Sequence, residues 1–158
     1  MIFYIQAVII FYMQKYLPYN TKYLITTTKL FTKRLHHQFL ILCYTIYYKD
    51  FKLLLLYHIS MYINLVIKTK FRIMRPFVDY NFLKNPKNKN KANSYSFPSN
   101  SFQNSLLIYH YLLYPISPLL YYILILSIMI SRMILALHYP HDFVMSYLLF
   151  KSIIMFIS

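Results

Sequence analysis

An all-α, multi-pass transmembrane bundle of about six helices is the fold this sequence predicts, on three observations. Hydrophobic residues make up 59% of the 158-residue chain and aromatic ones 20%, more apolar surface than a soluble domain of this size hides from water. These residues lie in blocks, without the helical or alternating spacing of half-buried soluble elements. Prolines and polar clusters separate the blocks, each near the shortest length that spans a bilayer as helix.

Residues 2–17 form the first block, which stops at Pro18. It has no basic leader and no small-residue cleavage site, so it is expected to be a retained helix, not a signal peptide. The basic, Thr-rich residues 20–34 make a connector or an interfacial helix. Residues 35–48 form a second segment, short against the roughly 20 residues a bilayer needs. It reaches across only if Lys33, Arg34, His36 and His37 sit at headgroup level. A polar turn at residues 49–52 leads to a third segment, 53–67, whose far end is Lys68. Residues 80–96, with Lys84, Pro86, Lys87, Lys89 and Lys91, form an aqueous loop. Pro115 and Pro118 split the apolar run 106–130 into two helices, because a helix interior does not tolerate two such prolines easily. After a polar interval from Ser131 to Asp142, residues 143–157 close the bundle. The chain forms a single domain, residues 1–158, in which residues 1–50 carry no motif.

Seventeen Lys and Arg against three acids give a formal charge of +14. Such a balance suits nucleic acid, anionic lipid or a phosphorylated substrate. Nucleic acid is the weakest of these, since the basic residues sit between apolar segments and no zinc-finger or helix-turn-helix pattern accompanies them. Lysines flanking membrane helices at the headgroups are the plainer reading. Gly, Trp and Glu are absent, a bias expected of a G-poor coding strand, so position carries more weight than charge. Cys43 stands alone and builds neither a disulfide framework nor a cysteine metal site. It is expected to be a small buried hydrophobe.

Ionisable residues that interrupt apolar segments are functional candidates. Lys68 and Arg75 are seven apart, about two helical turns, which places both cations on one helix face, with Pro76 ending that helix. In the segment Tyr95-Ser96-Phe97-Pro98-Ser99-Asn100-Ser101, Pro98 and the small polar residues mark a helix start. Its free N–H groups and a Ser hydroxyl make either an anion site or a simple cap. The third cluster is Ser131-Arg132, five residues, His138, three residues, Asp142. Pro140 opens the last helix, so Asp142 falls in its first turn and accepts from one His138 nitrogen, leaving the other as nucleophile or base. Three cations, a helix start and a carboxylate-oriented His are what phosphoryl transfer needs. Asp50, Asp79 and Asp142 are the only acids, and they form no cluster to hold a metal.

In residues and spacing, Lys68 through Arg75-Pro76, Pro98-Ser99, and Ser131-Arg132 through His138 to Asp142 resemble the three-part signature of the type 2 phosphatidic acid phosphatase family. That family also includes glucose-6-phosphatase and the vanadium haloperoxidases. The resemblance covers roughly residue 53 onward. It implies an all-helical bundle whose site lies on the extracytoplasmic or lumenal face. It further implies that Lys68, Arg75 and Arg132 grip the phosphate, aided by Ser99 and Asn100. His138 would form a phosphohistidine and Asp142 would orient it, without metal or cofactor, on a lipid phosphate or a polyprenyl or other lipid diphosphate.

The second part departs from the family. Where the family has Pro-Ser-Gly-His, this chain has Pro98-Ser99-Asn100-Ser101. The missing His would protonate the leaving oxygen. His110 and His141 are nearby in sequence, and His110 is three helical turns from Ser101. Diphosphates should suffer least, because their leaving group is a phosphate whose second pKa is about 6. A relative that keeps the phosphate pocket without catalysis is the alternative. With the motifs outside, residues 15–34 also fall outside, against the positive-inside tendency.

Overall fold

The computed structural model describes residues 1–17, 21–83 and 95–157. Eight helices and no strand occur among them: α1 Ile2–Tyr16, α2 Thr21–Phe31, α3 Arg34–Tyr48, α4 Lys52–Phe71, α5 Pro76–Asp79, α6 Asn100–Leu112, α7 Pro118–Ile134 and α8 Pro140–Ile157. Helices α1, α3, α4, α6, α7 and α8 follow the six apolar segments, and α2 and the one-turn α5 are additional. Most of the predicted aqueous loop, including Lys84, Pro86, Lys87, Lys89 and Lys91, lies outside the described residues, as does Pro18.

The transmembrane part of the expectation is not met by helix length. No helix among the described residues is long and apolar enough to cross a membrane. The longest, α4, has 20 residues but carries Lys52 at one end and Lys68 and Lys70 at the other. The 18 residues of α8 include His141, Asp142 and Lys151.

Helix α6 is the centre of the bundle and packs against α3, α4, α7 and α8. Every residue from 102 to 109 is buried, although Gln103, Asn104 and Ser105 are polar. Buried polar groups persist when they are paired, and here Gln103 and Asn104 pair with α4 while Ser105 meets His37 of α3. Asn64 Nδ2 donates to Gln103 Oε1 at 2.6 Å, and Gln103 Nε2 donates to Ser60 Oγ at 2.9 Å. On α3 the buried positions are His37, Ile41 and Thr45, an i, i+4, i+8 stripe that faces the bundle. Cys43 is therefore turned outward and is exposed, contrary to expectation.

The helix ends place the site. Ser117 Oγ accepts from Leu120 N and Pro118 occupies the first turn of α7, which is how the long apolar run is split. At the end of α4, Arg72 takes the left-handed conformation (φ 49°) and donates its N–H to Lys68 O. Arg75 therefore stands off the helix that carries Lys68, and Pro76 starts α5 instead of ending α4. The expectation of one shared helix face is corrected accordingly: the turn comes at Arg72, with no local breaker residue to announce it.

Helix α7 ends in a Schellman arrangement. Leu137 N donates to Arg132 O at 3.1 Å and Ala136 N to Met133 O at 2.8 Å, with Ala136 at φ 50°. Glycine is the usual residue at that position because a Cβ is strained there. This chain has no glycine, and alanine fills the position. The reversal brings residues 135–139 back across the end of the bundle.

Candidate active site

His138 lies in that reversal, and Pro140 opens α8, so Asp142 falls in the first turn below it. Asp142 Oδ2 accepts from Tyr139 N at 2.9 Å and lies 3.2 Å from His138 Nδ1. Both side chains are buried. Burial, followed by the charges of Arg75, Lys68 and Arg132, holds His138 well below the usual imidazole range, and a hydrogen bond to the Ser96 carbonyl opposes this. The ring is therefore neutral. The neutral ring has one N–H to give, to the Asp142 carboxylate or to the Ser96 carbonyl; in the tautomer that donates Nδ1–H to the carboxylate, Nε2 keeps its lone pair. Burial also pushes Asp142 up to about 7, against the Tyr139 N–H and the charges of Lys68 and Arg75.

The first cluster is bound to this turn. Arg75 Nη1 donates to Leu137 O at 2.8 Å, next to His138. Lys68 Nζ donates to the carbonyls of Tyr95 and Ser96 at 3.1 and 3.2 Å, and Ser96 N donates to Ile73 O at 2.8 Å. An ammonium has three donors, so Lys68 holds the approach to α6 and keeps one proton for a ligand. Burial, with Arg75 nearby, lowers Lys68 to about 8, and burial brings Arg75 to about 10.

Ser99 is the N-cap of α6, and Asn100 and Ser101 are its first helical residues. Ser99 does not reach the cavity described below. Its N–H donates to Ser146 Oγ at 2.9 Å, and the same Oγ lies 2.7 Å from Asp142 O. Ser99 and Ser146 thus tie the start of α6 to the first turns of α8. The Ser99 hydroxyl is buried without a partner among the described residues.

One cavity of about 300 Å³ joins the three clusters, with Lys68, Arg75, Asn100, Ser101, Arg132 and His138 in its wall. Asp142 sits behind His138, outside the lining. Arg132, 6% exposed, donates from Nη2 to Thr32 Oγ1, while its Nε is buried with no partner among the described residues. Burial and the nearby Arg75 bring Arg132 to about 10. A desolvated guanidinium with an unmet donor is costly, and an anion in the cavity would answer it. The carboxylates are separated: Asp50 accepts from Lys52 N at 2.7 Å, and Asp79 from Tyr139 Oη at 2.8 Å.

Sequence reading missed part of the wall. Thr32, Arg34 and His37 also line the cavity, from a connector and a segment that carry no motif. The buried stripe through His37 and Thr45 on an otherwise apolar segment was the available signal. His110 and His141 do not line the cavity. His110 packs against Tyr114, Tyr121 and Phe150. His141 Nδ1 lies 2.7 Å from Gln6 Oε1, and its Nε2 is 3.2 Å from Asp142 Oδ1.

Lys68 from the end of α4, Arg75 from the α4–α5 connection, Arg132 from the last turn of α7 and His138, backed by Asp142 at the α8 start, converge on one cavity. The PAP2 superfamily profile matches residues 50–157. This chain belongs to the PAP2 superfamily. Membership supports a phosphatase-type function in general terms. No curated protein and no solved structure gives a match. The PAP2 match begins at the α3–α4 turn, so α1, α2 and all of α3 precede it, including the residues that complete the cavity wall.

Proposed function

We propose that this PAP2 chain is an integral membrane phosphatase that cleaves a lipid phosphate or a lipid diphosphate, such as a polyprenyl diphosphate, through a phosphohistidine. The observation that carries the reading is the convergence of Lys68, Arg75 and Arg132, with its unanswered Nε, on the cavity that His138 enters. Those three cations would hold the non-bridging phosphoryl oxygens. His138 Nε2 attacks phosphorus, the bond to the leaving oxygen breaks, and the electron pair departs with that oxygen. The Asp142 carboxylate stabilises the imidazolium character that develops on His138. Water then attacks the phosphohistidine, returning neutral His138 and phosphate. Asn100, at the start of α6, offers a backbone N–H at the cavity wall.

Placement in a membrane draws support from the bundle's surface. Phe39, Leu42 and Ile46 on α3 and Leu119, Ile123 and Leu126 on α7 form exposed apolar stripes, while polar side chains gather inside α6. A polar interior under an apolar exterior suits a lipid surround, with short helices accommodated by local thinning and headgroup-level lysines. The site is proposed to face the extracytoplasmic or lumenal side.

A second reading, a relative that binds phosphate without turnover, is favoured by one observation: Ser101 stands at the cavity wall where the family's acid would be. Phosphate release from lipid diphosphate and lipid monophosphate by purified protein in detergent separates the two. The phosphatase reading expects release that His138→Asn abolishes. Phosphate binding with no release from either substrate supports the second.

A further inference from the structure

We infer that His37, on α3, donates the proton to the leaving oxygen, replacing from outside the family's motifs the acid that Ser101 cannot supply. The inference rests on the phosphatase reading above and deepens it. His37 is 1% exposed, yet it lines the cavity together with Ser101, Asn104, Arg132 and His138. Its Nε2 lies 3.4 Å from Ser105 Oγ, and that hydroxyl donates to Ser101 O at 2.8 Å. Ser105 is one helical turn after Ser101, so the imidazole meets α6 directly beside the vacated acid position. A loose 3.4 Å contact to a neutral hydroxyl is readily exchanged for a stronger one to a developing oxyanion.

The surroundings also fix the ring. Burial, the largest influence, holds the free ring down at about 4 against a hydrogen bond to the Phe31 carbonyl that favours the protonated form, and the Tyr109 ring stands edge-on at 6.2 Å. Tyr109 Oη donates to the same Phe31 carbonyl at 2.9 Å. The groups opposing protonation are burial first, then His36 and Arg132, and Arg34 adds a further cation in the wall. A phosphate dianion beside His37 and Arg132 offsets those charges, though not the burial, and so raises the ring's hold on a proton as substrate binds.

The step balances. As His138 Nε2 bonds to phosphorus, the bond from phosphorus to the leaving oxygen breaks, and that oxygen takes the Nε2 proton of the His37 imidazolium. Neutral His37 then accepts a proton from the water that attacks the phosphohistidine, which restores the starting state. With an acid in place, alkyl phosphate monoesters come within reach as well as diphosphates.

The test compares a long-chain alkyl phosphate with an aryl phosphate whose phenoxide leaves without a proton. Wild type, His37→Gln, His37→Asn and the double variant His37→Gln/Ser101→His are assayed in one detergent. The inference predicts that both single variants lose on the order of 10²-fold in kcat on the alkyl ester and far less on the aryl ester. The double variant regains alkyl hydrolysis by supplying the acid from the family's own position. Retained aryl hydrolysis shows that the variants are folded and form the phosphohistidine. An equal loss on both substrates, unchanged alkyl hydrolysis, or a wild type that cleaves only the aryl ester overturns the inference and leaves the phosphatase reading standing. A wild type inactive on both esters and on lipid diphosphate overturns the phosphatase reading and this inference with it.

Discussion

The Arg75 guanidinium donates from Nη1 to the Leu137 carbonyl at 2.8 Å, joining two clusters 62 residues apart at the residue before His138. The same side chain lines the cavity. It therefore holds the His138 turn in place and, on the proposed reading, would also present charge to the phosphoryl group. A charged hydrogen bond contributes about 1.5–3 kcal/mol, and each 1.4 kcal/mol or so is tenfold. Arg75→Ala should lower kcat/KM by roughly 10- to 100-fold from that bond alone. Arg75→Lys, which keeps charge but not the fork, should recover only part of the loss. Steady-state kinetics on one lipid diphosphate check this.

The His138–Asp142 pair sets an acidic limb. Burial pushes the carboxyl up to about 7, and its ionised form is the one that accepts Nδ1–H. Activity should therefore fall as pH drops through about 7, and fall again above about 8 as Lys68 loses its charge, in the kcat/KM profile that reports the free enzyme. Asp142→Asn should retain reduced activity and lose the acidic limb, because an amide does not titrate and only positions the ring. An unchanged limb in Asp142→Asn would assign the titration elsewhere.

The same raised carboxyl costs stability. Its folded value lies above the ordinary 3.8, so the cost is absent below about pH 4 and grows as pH rises to about 7. Asp142→Asn removes that cost, and its unfolding midpoint should change less than wild type's between those limits. Denaturant titrations at both ends of the window measure it.

Ala136 gives a cleaner stability test. It holds the left-handed position that ends α7, where a Cβ costs roughly 1–2 kcal/mol. Ala136→Gly should therefore stabilise the bundle by up to about 1 kcal/mol, since glycine's extra unfolded-state freedom offsets part of the relief. Denaturation in detergent, with substrate affinity as control, reads the change.

The long helices were legible because the information is local. Apolar blocks mark α1, α3, α4, α6, α7 and α8, and Pro118 and Pro140 mark the starts of α7 and α8. Helix α2 was read as a connector or an interfacial helix because threonine is a weak helix former. In the structure Thr27, Thr28 and Thr32 turn their hydroxyls back to carbonyls one turn earlier, at 2.7–2.9 Å, which satisfies them without breaking the helix. The end of α4 was misplaced because Arg72 turns the chain with no glycine or proline to signal it. At the site, the spacing of His138 and Asp142 could be read directly, since one helix start positions both. His37 could not, because its place in the wall depends on α3 packing against α6, a long-range choice that no local pattern records. The motif points Ser99 to the phosphate, whereas its backbone N–H binds Ser146 Oγ and the residue does not line the cavity.

The most direct measure of the central claim is a rapid-quench trap with phosphorus-labelled substrate, followed by mapping of the label. The account predicts an acid-labile, alkali-stable phosphoryl group on His138 in wild type, and neither label nor turnover in His138→Asn. Phosphate release that proceeds without a trapped adduct and survives His138→Asn would contradict it.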